Sequence, residues 1–141
     1  MFLIGAGTER DRATRIGVAR ICVGGLLLIT TGFTRRVFGV PANQDNQALR
    51  MLARLAGIRN IFLGAWALVA QEHGDDERRL CYQLNAATDA TDLGILAFAG
   101  LRDKGLRRAA AMSCALGSSA LLAWLDLLQD VGSHRHEAQA G

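Results

Sequence analysis

Residues 80–101 read LCYQLNAATDATDLGILAFAGL, and the fold turns on what kind of helix they form. At 100° per residue, Asn85, Asp89 and Asp92 fall on one stripe, at i, i+4 and i+3 spacing. The apolar run LGILAFAGL follows them directly. Two aspartates near the centre of a membrane helix cost about 2.5–3.5 kcal/mol each. Such a helix is tolerated only where arginines on its neighbours meet the acids or a proton neutralises one.

The preceding helix, predicted over residues 47–71, supplies the arginines. Arg54 and Arg59 lie in its first half, ahead of the apolar core NIFLGAWALVA. Arg50, Arg54, Gly57 and Gly64 share a face, whereas Arg59 points about 140° from Arg54. One acid therefore cannot serve both arginines, and a network spread over two neighbouring helices is expected. Asn60 lies between the two directions and is placed to bridge them.

Two further helices complete the set. The first is predicted over residues 16–33, after a polar segment at residues 1–15 in which Thr8 is a candidate N-cap and Glu9 and Asp11 suit a first turn. It holds Arg20 ahead of fourteen uncharged residues, ICVGGLLLITTGFT. That run is short of the roughly 20 needed to cross hydrocarbon. The span is complete only with Arg20 inside it or snorkelling to the surface. The last helix, over residues 109–128, has seventeen uncharged residues before Asp126 and is the best single span. Three arginines (Arg20, Arg54, Arg59) thus face three aspartates (Asp89, Asp92, Asp126) within otherwise apolar helices.

Short loops join the helices. Arg35, Arg36 and the only proline, Pro41, mark the first, and EHGDDERR at residues 72–79 reads as a solvated second. RDKGLRR at residues 102–108 turns the chain at Gly105. Short connections make the helices antiparallel neighbours. Residues 131–141 read as a disordered tail. The expected architecture is all-α, an antiparallel four-helix transmembrane bundle.

The small residues have a packing reading. Gly17 and Gly24 flank Arg20 on one face, Gly57 and Gly64 share a face, and Ala109, Ser113 and Gly117 follow at four-residue spacing. Small residues so spaced let helix backbones approach closely in a membrane.

Composition agrees with a membrane protein. Half of the 141 residues are strictly apolar, with 16 glycines besides, and 21% are charged. An ordinary soluble domain holds roughly 45–50% apolar residues with glycine included. Mean hydropathy is only +0.17, because the loops are dense in arginine and acid. The net charge of +3 comes from dispersed residues, fifteen of sixteen being arginine, so no basic patch points to nucleic acid.

Charge does not orient the bundle. Arg10, Arg12, Arg15, Arg78, Arg79 and Arg135 fall on one side, and Arg35, Arg36, Arg102, Lys104, Arg107 and Arg108 on the other. The two sets tie. Cys22, Cys81 and Cys114 have no zinc spacing, and His73, His134 and His136 lie outside the apolar elements. No metal and no cofactor are expected.

Four segments carry a family resemblance: ARICVGG at residues 19–25, VFGVP at 37–41, RLAGIRNIFLG at 54–64 and DATD at 89–92. They resemble a family of small bacterial membrane proteins, common in actinobacteria and labelled a domain of unknown function. In that family the residue after the second arginine is often aspartate; here it is Asn60. The resemblance implies four membrane spans and supplies no activity.

The expected role is a structural or accessory subunit of the cell membrane, multi-pass. Its partners would be the lipid bilayer, other membrane proteins or further copies of itself. A membrane enzyme with Asp89 or Asp92 as acid or base, tuned by Arg54 or Arg59, is the first alternative. A small proton-coupled transporter using the same acids is the second. A soluble helical bundle is the third, since apolar runs of this length also build cores.

Overall fold

The computed structural model describes residues 7–29 and 46–140, with side chains in the last helix to residue 132. The described residues form four helices: α1 (Glu9–Ile29), α2 (Gln47–Val69), α3 (Asp75–Arg102) and α4 (Arg107–Ala140). A single 3₁₀ turn, Ala70–Glu72, follows α2. No strand occurs among the described residues. The end of the first helix and the loop bearing Arg35, Arg36 and Pro41 lie outside them, as do the side chains of His134, Arg135 and His136.

Local chemistry sets where the helices begin. Thr8 Oγ1 accepts from the Asp11 backbone N–H at 3.2 Å, and the Asp11 carboxylate accepts from the Thr8 N–H at 3.2 Å. This reciprocal cap starts α1 well before the apolar run, so residues 9–15 of the polar segment and the first apolar helix are one element. Asn46 Oδ1 accepts from the Leu49 N–H at 2.9 Å and caps α2. α3 begins at Asp75, inside the stretch that reads as a loop. Asp75, Asp76 and Glu77 fill its first turn, where acids complement the helix dipole. α4 runs on to Ala140, through the residues set apart as a tail.

The helices pack as two antiparallel pairs, α1 along α2 and α3 along α4. Glycines make the first seam. A Cβ on Gly24 would lie 2.5 Å from the Gly57 carbonyl oxygen, and one on Gly64 would lie 2.6 Å from that of Gly17. Both helices therefore touch backbone to backbone at two points, seven residues apart on each. The second seam is looser in kind. A Cβ on Gly100 would meet the Ala110 Cβ at 2.6 Å, and one on Gly117 would meet Leu93 Cδ2 at 3.0 Å.

The pairs meet each other chiefly at one end. The core there joins Ala13 and Ile16 of α1, Ala67 of α2, Ala70 of the 3₁₀ turn, Cys81, Tyr82 and Ala86 of α3, and Ala123, Trp124, Leu127 and Val131 of α4. Tyr82 and Trp124 stack at 5.7 Å between centroids. At the other end the pairs part and leave a cleft.

Among the described residues two stretches are long and apolar enough to cross a membrane: Gln47–Glu72 and Arg107–Gly132. The expectation was four. Charged residues along α1 and α3 remove those helices from the set, and the apolar residues that would extend α1 lie outside the described ones. Only 17% of each apolar window is buried within the molecule. Phe62, Ile95, Phe98, Leu101 and Leu122 are among the large apolar side chains that face outward.

Candidate functional site

Arg20 sits where all four helices meet. α1 carries it inward because Ala13, Ile16, Gly17, Arg20 and Gly24 form one buried stripe. Its Nη1 donates to Asn85 Oδ1 at 2.7 Å and to Asp89 Oδ2 at 3.2 Å. Its Nη2 donates to Asp89 Oδ1, closing a bidentate ion pair. Its Nε donates to Asn60 Oδ1 at 3.2 Å. The guanidinium carbon also lies 5.9 Å from the Trp124 ring centroid, within cation–π reach.

The supporting groups are themselves tied down. Asn60 Nδ2 donates to the Ala56 carbonyl and Asn85 Nδ2 to the Cys81 carbonyl, each at 2.9 Å. These bonds fix which end of each amide faces the arginine. Arg20, Asn85 and Asp89 are all buried. A buried charge is tolerable when paired and hydrogen-bonded, and this one is both.

A second ion pair lies one helical turn away. Arg59 Nη1 donates to Asp92 Oδ1 at 2.9 Å, and Nη2 donates to Asp92 Oδ2. It is less enclosed, with side chains 40% and 31% exposed.

The remaining candidates go elsewhere. Arg54 is exposed and makes no ion pair among the described residues. Its direction, about 140° from Arg59, turns it away from α3. Asp126 pairs with Arg12, which also holds Asp130. The three-against-three set thus divides into separate groups along the bundle.

Several polar residues at the closed end were not singled out from the sequence. Tyr82 donates to Glu9 Oε1 at 2.8 Å and accepts from Gln71 Nε2 at 3.1 Å. Arg78 pairs with Asp75 and lies 3.7 Å from Glu9 Oε2. A signal existed for Arg12: Asp126 and Asp130 stand at i, i+4 and share a helix face. Nothing local links Tyr82 to Glu9, 73 residues earlier.

The cleft between the helix pairs is a cavity of about 490 Å³. Arg20, Asn60, Asp89 and Asp92 form its polar floor, and Val23, Leu27, Leu96, Leu116 and Ala120 are among its apolar walls. Ser113 and Gly117 also line it. Of the small residues expected to form a packing edge on the last helix, Gly117 stands against Leu93 of α3, and Ser113 and Gly117 both border the cavity. The volume falls in the roughly 300–1,000 Å³ range of small-molecule sites.

The cysteines are free, with Cys22 exposed, Cys81 buried and Cys114 between. No group of three or more His, Cys, Asp or Glu is placed to hold a metal among the described residues. Fold and site together define an all-helical bundle with one buried and one partly exposed ion pair at the base of an apolar cleft. No family model, curated protein or solved structure matches this chain.

Proposed function

We propose that this chain is a small integral protein of the cell membrane, crossing it with all four helices, in a structural or accessory role. One observation carries the reading: apolar side chains face outward while Arg20, Gln71, Asn85 and Asp89 are buried. Buried charge together with a broad exposed apolar face is uncommon in a water-soluble fold. The resemblance to four-span bacterial proteins points in the same direction. In lipid the outer face is solvated by acyl chains, and the charges pair inside.

The accessory role is supported by the state of the charges. Asp89 is held by both Nη atoms of Arg20, and Asp92 by both Nη atoms of Arg59. Carboxylates held in this way lock helices together. The test is to wash membranes of expressing cells with carbonate. Retention in the membrane pellet is expected, and release into the soluble fraction would remove the membrane reading.

A second reading keeps one specific support. Asp89 and Asp92 both line the cavity, where an acid or base would meet a lipophilic substrate. Under that reading Asp92→Asn accumulates and melts like wild type but loses a cellular phenotype. Under the accessory reading any phenotype follows the loss of stability.

A further inference from the structure

We infer that the cleft binds a neutral single-chain amphiphile, an acyl or isoprenoid alcohol, with its hydroxyl at the ion-paired floor. The inference rests on the membrane reading above and names what the open half of the bundle would hold.

The walls set the tail. Val23 on α1, Leu96 on α3 and Leu116 and Ala120 on α4 give an apolar lining that opens from the floor between the helix pairs. A tail lying there meets mostly hydrocarbon; above the floor the polar lining residues are Ser113 and Ser119, and the Ser119 hydroxyl is engaged by the Leu116 carbonyl.

The floor sets the head group. Arg20 and Asp89 cancel, as do Arg59 and Asp92. A carboxylate or phosphate head would face two aspartates whose balancing guanidiniums are already engaged. An ammonium head would compete with the arginines for the same oxygens. A hydroxyl does neither. Each carboxylate oxygen accepts one hydrogen bond in the network and has a further lone pair. Asn60 Nδ2 uses one of its two hydrogens on Ala56. One hydroxyl can donate to a floor carboxylate and accept from Asn60 without disturbing either ion pair.

The experiment is saturable binding of radiolabelled 1-hexadecanol to the full chain in phosphatidylcholine nanodiscs, with empty nanodiscs as blank. Competitors are unlabelled hexadecanol, palmitate and hexadecyltrimethylammonium. Saturable binding displaced by hexadecanol, and about tenfold less by either charged analogue, is expected. Ala120→Phe and Val23→Trp fill the cleft from opposite walls, and each should weaken binding about tenfold at unchanged helicity.

Uptake no greater than in empty nanodiscs overturns the inference. Equal displacement by palmitate or the ammonium overturns the head-group assignment, and needs no variant to fold. A chain that survives carbonate washing yet binds no hexadecanol sinks this inference alone. A chain released by carbonate sinks the membrane reading first.

Discussion

The two ends of the bundle differ in what fills the space between the helix pairs. At the closed end Ile16, Tyr82, Trp124 and Leu127 are fully buried, and all four helices meet. At the open end Val23, Leu96 and Leu116 face each other across a cavity. Arg20 of α1 marks the boundary, bonded to α2 and α3 and resting against Trp124 of α4. The contrast teaches that pairing and bundling are separate events here. Small residues bring two helices together along their length, while large side chains and the ion pairs Arg12–Asp126, Arg20–Asp89 and Arg59–Asp92 join one pair to the other.

The largest expected effect comes from breaking the lock. Arg20→Leu leaves Asp89 buried without its partner and should cost about 3–5 kcal/mol. The Arg20→Leu, Asp89→Leu double variant should recover much of that, because replacing both members of a buried pair is often nearly neutral. Thermal melting and membrane accumulation measure both. A double variant as unstable as the worse single one would mean the pair does more than join the helix pairs.

The glycine seam comes next. Gly24→Leu drives a Cβ into the Gly57 carbonyl oxygen, and backbone cannot step aside, so a loss of about 3 kcal/mol is expected. Gly25→Leu is the control, since a Cβ there meets nothing within 4 Å. Equal melting of the two variants would contradict the seam. On the other pair, Gly117→Leu pushes against the Leu93 side chain, which can rotate away, and should cost about 1–2 kcal/mol.

A smaller effect is expected at the more exposed ion pair. Arg59→Leu should cost about 1 kcal/mol, as partly exposed pairs do, and Arg54→Leu should cost nothing measurable. Melting curves of the two variants that coincide would show that the Arg59–Asp92 pair adds nothing to the junction.

The smallest effect is set by pH at the start of α1. Hydrogen bonds from the Thr8 hydroxyl and backbone N–H hold the Asp11 carboxyl below its ordinary value of 3.8. A depressed folded value means stabilisation fully present above 3.8 and lost as pH falls through the lower folded value. Asp11→Asn should remove that acid-side slope from the melting temperature and leave the neutral-pH value close to wild type.

Much of the architecture was legible in the sequence. Helical spacing and polar punctuation located four helices, and small-residue spacing named Gly17, Gly24, Gly57 and Gly64 as packing positions. Their ends were less legible. The acids at Asp75–Glu77 read as a loop but form a first turn, because both settings favour solvated charge. At the site, spacing placed Asn85, Asp89 and Asp92 on one stripe and separated Arg54 from Arg59. It did not rank the two arginines, nor assign Arg20 to Asp89 across 69 positions.

What the sequence determined by itself was therefore local: period, faces, caps, and the need for charges in apolar helices to find partners. The tertiary structure alone decided which partners. Arg20 took Asp89, Arg59 took Asp92, Asp126 went to Arg12, and Arg54 was left facing outward. The physical reason is that a helix wheel fixes directions around one axis only. The rotation of each helix about its axis, and its height against its neighbours, follow from where Gly17 meets Gly64, where Gly24 meets Gly57, and where Tyr82 meets Trp124.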